Sequence, residues 1–446
     1  MAKFVLIGSG LAGGLLAGYL GRRGHDVDLY ERRADPREGN LVGGRSINLA
    51  LSTRGIHALE RLGIADEVLR HAIPMRGRMI HEKSGALHFS PYDRDSSKFI
   101  NSIGRAALNT AVIDAALRYP SVSVHFNHRC TGVDPDSATA QLLNLSTTPV
   151  RLGPQPLNCS GDAVIGVDGA FSAVRQAMEQ QLPGFTSNES YLEHGYKELT
   201  IPPGTDGNWQ MEKEALHIWP RKSFMMIALP NPDGSFTCTL FWEFEGPRSF
   251  ANVKRDEDVQ RFFEEEFPDA VPLMPSLLED FGDNPTGSLV TMRCAPWFYR
   301  DKIALVGDAA HAVVPFYGQG MNAAFEDCVI LDECLSQFPA NREEAFTEYF
   351  NRRKENTDAL ADLAVRNFIE MRDKTASRQF RAKKKLDHLL EAALPGIYLP
   401  LYTMVTFTRI PYAEAARRAR RQDRIVYFCL ALAGLVVLAS AIAALT

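Results

Sequence analysis

Residues 3–31 read KFVLIGSGLAGGLLAGYLGRRGHDVDLYE, and this stretch decides the fold. Its apolar start at residues 3–7 predicts a buried strand, and a glycine turn with the spacing GxGxxG follows at once at residues 8–13. A helical segment and a second apolar run come next, and Glu31 stands 18 residues beyond Gly13. An isolated GxGxxG is weak evidence, but strand, turn, helix, strand and acid in this order are typical of a Rossmann-like dinucleotide-binding unit.

Each glycine of this turn has a mechanical role. Gly8 permits the tight turn, and Gly10 lets a pyrophosphate approach the backbone. Gly13 lets the helix pack closely on the strand, so that the N-terminus of the helix faces the phosphates. All three glycines are therefore predicted to bind the cofactor.

The acid after the second strand selects the nucleotide. Glu31 is placed to accept hydrogen bonds from a ribose hydroxyl, and its charge repels a 2′-phosphate. The site is therefore expected to hold FAD or NAD rather than NADP, although Arg32 and Arg33 weaken this preference.

Two later motifs distinguish FAD from NAD. Residues 162–175, DAVIGVDGAFSAVR, run from a strand into a turn at Asp168 and Gly169. Residues 302–327, KIALVGDAAHAVVPFYGQGMNAAFED, place Asp308 at the end of another strand. There Asp308 can bind a sugar-alcohol hydroxyl or cap a helix.

A helix is expected to begin near Gly320 in the same segment. The backbone N–H groups of Met321 and Asn322 then face whatever binds at that helix start. If a flavin lies there, the helix dipole stabilises the negative edge of the reduced ring.

The order of these three motifs resembles that of the single-component, FAD-dependent aromatic hydroxylases. Longer stretches resemble the kynurenine 3-monooxygenase family in particular: residues 44–52, 73–81, 217–221 and 400–407. The resemblance implies hydroxylation of L-kynurenine to 3-hydroxy-L-kynurenine, in tryptophan catabolism and NAD biosynthesis. It also implies FAD as cofactor, NADPH and O2 as co-substrates, and a C4a-hydroperoxyflavin that delivers the oxygen atom.

The resemblance also assigns the binding residues. It places the substrate at Arg78, Tyr92, Asn367 and Tyr402, where a guanidinium and neutral hydrogen-bond donors suit an amino-acid carboxylate. Read without the resemblance, Arg78 is a surface or ion-pair residue and the tyrosines are packing residues. The implied FAD contacts are Ala12, Tyr30, Glu31, Arg32, Arg33, Ala50, Arg105, Cys130, Asp308, Met321 and Asn322, beside Gly8, Gly10, Gly13 and Gly320.

No side chain is expected to be an indispensable catalytic base. The aromatic amine of the substrate can itself push electrons toward the attacked carbon, and a histidine beside a helix, such as His311, usually has a structural partner. Residues 315–319 are expected to form a loop over the reacting face. Cys130 replaces a bulkier apolar residue of the family, so a backbone contact is expected there. No metal site is predicted.

The chain has 446 residues, 45% hydrophobic and 23% charged, with a net charge of −5. Such a balance excludes a disordered chain and argues against a nucleic-acid partner. Five apolar runs predict one parallel sheet: residues 3–7, 27–30, 122–126, 163–167 and 303–306. Residues 191–244 and a hairpin at 79–89 predict a second, largely antiparallel sheet.

The predicted fold is therefore α/β, with a Rossmann-like FAD-binding domain and an inserted, largely antiparallel-sheet substrate domain. The FAD-binding domain is assigned to residues 1–75, 100–185 and 290–340, and the substrate domain to residues 76–99 and 186–289. A helical C-terminal region at residues 341–424 and a transmembrane tail anchor at residues 425–446 complete the organisation.

The tail anchor rests on 21 uncharged residues at 425–445, about the length that crosses a bilayer. The arginine-rich segment before it favours a cytosolic orientation. For a eukaryotic member, the resemblance implies that the tail anchor lies in the mitochondrial outer membrane. The alternative to a tail anchor is a buried core helix.

Two other functions fit parts of the sequence. A membrane-tethered flavoprotein reductase or epoxidase acting on a lipid-like substrate keeps the flavin fold but leaves Arg78 without a carboxylate. A non-catalytic scaffold that keeps FAD for stability predicts bound cofactor without turnover.

Overall fold

The computed structural model describes residues 1–38, 48–93, 95–146, 154–371 and 378–445. The first four residues of the family-like stretch 44–52 lie outside this description.

A six-stranded sheet carries the nucleotide-binding motifs. All five predicted strands lie in it and are parallel, and one short antiparallel strand extends the edge. Apolar residues on both faces suit a sheet covered by helices on each side. In spatial order its strands are β18 (Phe298–Tyr299), β19 (Ile303–Leu305), β12 (Ala163–Gly166), β1 (Lys3–Ile7), β2 (Asp26–Tyr30) and β8 (Val122–His125).

A second, seven-stranded sheet is antiparallel except for one parallel pair, β14 with β5. Its spatial order is β17 (Gly287–Ala295), β13 (Thr186–Ile201), β16 (Phe236–Glu243), β15 (Met225–Pro230), β14 (Ala215–Pro220), β5 (Gly77–His81) and β6 (Leu87–Pro91). One face packs against helices α6 (Asp256–Glu266) and α7 (Leu277–Asp283). The other face turns toward the substrate site described below.

Two three-stranded sheets were not expected, because their strands are short and mixed in polarity. One consists of β3 (Asn48–Leu51), β7 (Ile100–Gly104) and β4 (Ile73–Met75). The other consists of β11 (Gln155–Ser160), β10 (Thr139–Asn144) and β9 (His128–Asp134).

The helices cover the parallel sheet and form the C-terminal region. Helix α9 packs on α1, α2 and α10, and α10 packs on α13. Their bounds are α1 (Leu11–Arg22), α2 (Thr53–Leu62), α3 (Ala65–Leu69), α4 (Arg105–Leu117), α5 (Ala173–Gln181), α8 (Asp308–His311), α9 (Gly320–Gln337), α10 (Arg342–Ile369), α11 (Arg378–Ala393), α12 (Leu401–Phe407) and α13 (Tyr412–Leu445).

The prediction of a C-terminal transmembrane helix is wrong. Among the described residues, no helix has the length and apolar character needed to cross a membrane. The apolar segment 425–445 is not a separate element, because it continues α13, whose first residue, Tyr412, is buried in the core. In the arginine-rich segment before it, Arg417 binds Glu355, and Arg418 donates to the carbonyl oxygen of Gly396. The prediction of a membrane partner rested on this segment and is therefore not supported either.

A buried chain of charges joins the parallel sheet to the C-terminal helices. Asp327 accepts hydrogen bonds from Arg353 Nε (2.6 Å) and pairs with His311 Nε2 (2.5 Å). Arg353 also binds Glu326 (2.5 Å), whose other oxygen binds Arg54 Nε (3.1 Å). Burial alone would raise the pKa of Asp327, but His311 and Arg353 outweigh burial and lower it. The carboxylate therefore stays charged at neutral pH.

Replacing Arg353 with Met should destabilise the fold by about 3–5 kcal/mol, because two carboxylates would lose their buried cation. Urea unfolding followed by circular dichroism measures the change. The matched control is Arg352→Met on the same helix, whose half-exposed pair with Glu333 should contribute at most about 1 kcal/mol. Equal losses in the two variants would contradict the role given to the buried chain.

Candidate active site

The glycine turn between β1 and α1 is as tight as its sequence requires. Gly8 has φ +105°, a conformation that side chains rarely adopt. A Cβ on Gly13 would lie 1.9 Å from the carbonyl oxygen of Gly8, whereas a Cβ on Gly10 would meet no atom of the described residues within 4 Å. The turn therefore fixes its own shape at Gly8 and Gly13 and leaves open space at Gly10, next to the N-terminus of α1.

Glu31 fastens the end of β2 to this turn. Its two carboxylate oxygens accept backbone hydrogen bonds from Ser9 (2.9 Å) and Arg33 (3.0 Å). The side chains of Arg32 and Arg33 are exposed, and the Tyr30 ring stacks on His125 at 4.6 Å. Since a carboxylate can accept about four hydrogen bonds, Glu31 keeps capacity for ribose hydroxyls.

The second motif touches the glycine turn directly. A Cβ on Gly8 would lie 2.7 Å from Asp168 Cα. Asp168 Oδ2 accepts from the backbone N–H of Ala173 (2.7 Å), but Oδ1 is buried and has no hydrogen-bond partner among the described residues. Burial raises the pKa of this carboxyl. Cys130 lies close by, and burial raises the pKa of its thiol to about 12, so the thiol stays protonated.

The third motif, residues 302–327, lies against the start of α1, which follows the glycine turn of the first motif. Gly307 has φ +64°, and a Cβ there would lie 3.0 Å from Ala324 Cβ on α9 and 3.7 Å from Ala12 Cβ on α1. Asp308 follows as the first residue of α8, with its side chain exposed. Helix α9 begins at Gly320 without a side-chain cap, so its first N–H groups are available to a ligand.

Asn322 ties the start of α9 to strand β3. Its Oδ1 accepts from the backbone N–H of Ser52 (2.9 Å), and its Nδ2 donates to the carbonyl oxygens of Ala50 (2.8 Å) and Gly318 (2.9 Å). Because the Asn322 side chain is used in this way, only its backbone N–H is offered to a ligand, as is that of Met321. Arg105 is the first residue of α4, and its side chain is exposed.

These residues fit FAD. The open space at Gly10, the orphaned Asp168 Oδ1 and the uncapped starts of α1 and α9 are the features that an elongated dinucleotide with a pyrophosphate and a flavin requires. The glycine turn and Glu31 would hold the adenosine and phosphate part, Asp308 the ribityl chain, and the start of α9 the flavin ring.

Arg78 and two tyrosines meet between the second sheet and the C-terminal helices. Arg78 lies on β5, and its Cζ is 4.9 Å from the centre of the Tyr402 ring and 5.7 Å from that of Tyr92. The two tyrosine rings stack at 5.2 Å. Arg78 Nε and the Tyr92 hydroxyl are buried without a hydrogen-bond partner among the described residues. Such a group of donors is incomplete without an anion.

An apolar wall extends from Arg78 across the second sheet. Arg78 is paired with Leu216, and Ile80 with Ile218, on the face opposite α6 and α7. Phe316, from the predicted loop 315–319, packs against this wall through Phe241 (4.8 Å) and against α10 through Phe368 (4.2 Å). The wall and the loop suit the aromatic ring of a ligand.

Asn367 does not join the Arg78 group directly. Its Nδ2 donates to the carbonyl oxygen of Phe316 (2.6 Å), so it holds the loop. Glu370 follows one turn later and was missed by the sequence reasoning, because nothing in its neighbourhood marks it. Burial lowers the pKa of Arg78, but the tyrosines and the Glu370 carboxylate outweigh burial and raise it. The charge of Glu370 thus favours the protonated form of the Arg78 guanidinium.

The tyrosines of the site keep their protons. Burial raises the pKa of Tyr92, Tyr402 and Tyr317, so all three hydroxyls can donate hydrogen bonds at neutral pH. His311, by contrast, is buried against Asp327 and serves the buried chain of charges.

Replacing Gly10 with Ala should weaken FAD binding at least about tenfold and leave the fold intact, because the added methyl enters only the space reserved for the pyrophosphate. Flavin fluorescence titration of the apoprotein measures the affinity. The control is Gly282→Ala in α7, where a Cβ also meets no atom within 4 Å. Unchanged FAD affinity in Gly10→Ala would place the pyrophosphate elsewhere.

Comparisons with known proteins agree with this geometry. Residues 1–364 match the FAD binding domain family. A kynurenine 3-monooxygenase from Myxococcus xanthus is 49% identical over 94% of this chain and 89% of its own length. One from Dictyostelium discoideum is 45% identical over 94% of this chain and 91% of its own length.

Solved structures share the fold. The tetrameric form of 2-methyl-3-hydroxypyridine-5-carboxylic acid oxygenase aligns with a TM-score of 0.67 and 22% identity, over 88% of this chain and 95% of that chain. The p-nitrophenol 4-monooxygenase of Pseudomonas putida aligns with a TM-score of 0.65 and 19% identity, over 87% and 94%. The predicted FAD-binding α/β fold and FAD as cofactor are confirmed. This chain belongs to the kynurenine 3-monooxygenase family of FAD-dependent aromatic hydroxylases.

Proposed function

We propose that this chain hydroxylates L-kynurenine to 3-hydroxy-L-kynurenine, with FAD as cofactor and NADPH and O2 as co-substrates. The observation that carries the proposal is the Arg78 guanidinium: within the described part of the chain, neither its buried Nε nor the neighbouring Tyr92 hydroxyl has a hydrogen-bond partner. An amino-acid carboxylate completes this group of donors. A lipid-like substrate, the alternative considered from the sequence, would leave it incomplete.

The polar end of the substrate is bound by charge and by hydrogen bonds. Arg78 binds the α-carboxylate, and the protonated hydroxyls of Tyr92 and Tyr402 donate to it. The α-ammonium group lies one carbon away from the carboxylate, and Glu370, whose charge raises the pKa of Arg78, is the acid proposed to pair with it. The two substrate charges therefore meet two protein charges of opposite sign in a site of low polarity, where such pairing matters most.

The aromatic end lies between the apolar wall and loop 315–319. Asn367 holds this loop through the carbonyl oxygen of Phe316, and the loop excludes water from the ring. When bound and reduced by NADPH, FAD would activate O2 for the transfer of one oxygen atom to the ring. The backbone N–H groups of Met321 and Asn322, at the uncapped start of α9, would stabilise the negative edge of the flavin ring.

No side-chain base is needed for ring attack. The anilinic amine of the substrate donates electron density to the attacked carbon, and His311 is committed to Asp327. The tyrosines remain protonated and act as hydrogen-bond donors.

Replacing Arg78 with Ala should raise KM for L-kynurenine about 100-fold and leave FAD content unchanged, because the carboxylate loses its bidentate partner. Kynurenine-stimulated NADPH oxidation measures KM, and flavin absorbance measures FAD content. Arg76→Ala is the matched control, because Arg76 is an exposed arginine two residues away that pairs with Glu214. Loss of FAD in Arg78→Ala, with KM for kynurenine unchanged after FAD is restored, would refute the assignment.

Replacing Glu370 with Gln should raise KM for L-kynurenine about tenfold, because the ammonium loses its counter-charge. A kynurenine analogue without the α-amino group should bind both proteins equally. Glu355→Gln, an exposed glutamate on α10, is the control. An equal loss of affinity for the analogue would show that Glu370 does not act through the ammonium.

A further inference from the structure

A chain of buried imidazoles lies behind Arg78, on the other face of the second sheet. His81 Nδ1 is 2.6 Å from Asp269 Oδ2, and His81 Nε2 is 2.8 Å from His217 Nδ1. His217 Nε2 in turn is 2.8 Å from the carbonyl oxygen of Glu212. The two histidines are 4% and 1% exposed, so solvent does not supply these contacts.

The hydrogen-bond partners fix the positions of the protons. A carbonyl oxygen only accepts, so His217 Nε2 carries a proton and donates it to Glu212. A neutral His217 then accepts at Nδ1, which requires a proton on His81 Nε2. The remaining nitrogen, His81 Nδ1, faces a carboxylate oxygen that also only accepts. With a neutral His217 and an Asp269 carboxylate, hydrogen bonds at all three contacts require protons on both nitrogens of His81.

The neighbouring groups support each step of this assignment. Burial lowers the pKa of His217 to about 4, so this ring is neutral at pH 7. Burial raises the pKa of Asp269, but the hydrogen bonds from His81 and Trp219 outweigh burial and lower it. Trp219 Nε1 donates to both Asp269 oxygens at 3.0 Å, which leaves Asp269 as the acceptor toward His81.

The chain acts on the strand that carries Arg78. Arg78 and His81 belong to β5 and point to opposite faces, since they are three residues apart. The neighbouring pairs Arg78–Leu216 and Met79–His217 join β5 to β14. Arg221 Nη1 also donates to the carbonyl oxygen of His81 (3.0 Å), so the carboxyl end of β5 is held by both side chain and backbone.

We infer that His81, His217 and Asp269 form a proton-dependent clamp, in which the His81 imidazolium holds β5 and so positions Arg78 for the carboxylate of the substrate. These are positioning residues, and the inference rests on the proposed function of Arg78. Without the second proton, the two rings would hold two protons for three contacts, so one contact, at Asp269, between the rings or at Glu212, would lose its hydrogen bond and β5 would be held less firmly. The clamp is therefore present at lower pH and is lost as the pH rises.

Other charged groups around His81 are few in the described part of the chain. Arg221 donates to the carbonyl oxygen of Glu266 (2.6 Å), and the Glu266 carboxylate binds Lys83 (2.8 Å) and Arg248 (2.5 Å). Glu82 follows His81 directly and binds His88 on the outer hairpin (3.1 Å). These groups already have ionic partners, so the proton of the clamp belongs to His81 and Asp269.

Asp269→Asn tests the clamp, because the amide can donate to an unprotonated His81 Nδ1 and still accept from Trp219. The Kd for L-kynurenine is measured with the FAD-loaded protein from about pH 7 to about pH 9.5. Above the pH at which the clamp loses its proton, the Kd of the wild type should rise about tenfold for each pH unit relative to the Kd of Asp269→Asn. Titration of the substrate itself affects both proteins equally. The control Glu82→Gln, in the exposed pair with His88, should follow the wild type.

A second readout needs no substrate and so separates the clamp from the proposed function. In protein labelled with 15N-histidine, the signal of a ring with protons on both nitrogens should be present at neutral pH and absent from Asp269→Asn and His81→Gln, whereas any such signal from His311, which is paired with Asp327, should remain. Thermal melting checks that each variant is folded. Superimposable Kd profiles for wild type and Asp269→Asn, or a singly protonated His81 in the wild type, would overturn the inference.

Discussion

The half-buried guanidinium of Arg78, whose Nε is fully buried, requires an anion, and this requirement organises the substrate half of the molecule. Arg78 stands on a strand whose neighbours supply apolar walls and tyrosine hydroxyls but no carboxylate within ion-pair distance among the described residues. Burying such a charge unpaired is costly, so the site is complete only when a ligand brings its own negative charge. Selectivity for a ligand with a negative charge follows from this incompleteness.

The flavin-binding half of the molecule depends on close contacts between backbone segments and not on a charged pair. The glycine turn, Asp168 and Gly307 converge because β1, β12 and β19 are neighbours in one parallel sheet, whose strands end at the same edge. Asn322 connects the start of α9 to β3 by its hydrogen bond to Ala50. Gln319 connects the same segment to the C-terminal region, because its side-chain oxygen accepts from the Tyr412 hydroxyl (3.0 Å). The helices that close the substrate site are thus fastened to the segment that receives the flavin.

The sequence predicted most where function follows from local geometry. The glycine turn, Glu31 and Asp308 stand at strand ends that apolar runs already marked. Arg78, Tyr92 and Tyr402 come from distant segments, so only the family resemblance singled them out. Glu370 and the His81 clamp depend on the register between β5 and β14 and on helix packing, which no local pattern encodes. The prediction of a transmembrane helix was wrong because the composition of the C-terminal apolar run fits a membrane span and does not reveal that its helix begins in the core.

The most direct test of the account is the fate of molecular oxygen. Purified protein loaded with FAD is incubated with NADPH, L-kynurenine and ¹⁸O2, and the products are analysed by mass spectrometry. The account requires 3-hydroxy-L-kynurenine carrying one ¹⁸O atom, formed in proportion to the NADPH consumed. Consumption of NADPH with L-kynurenine recovered unchanged would contradict it.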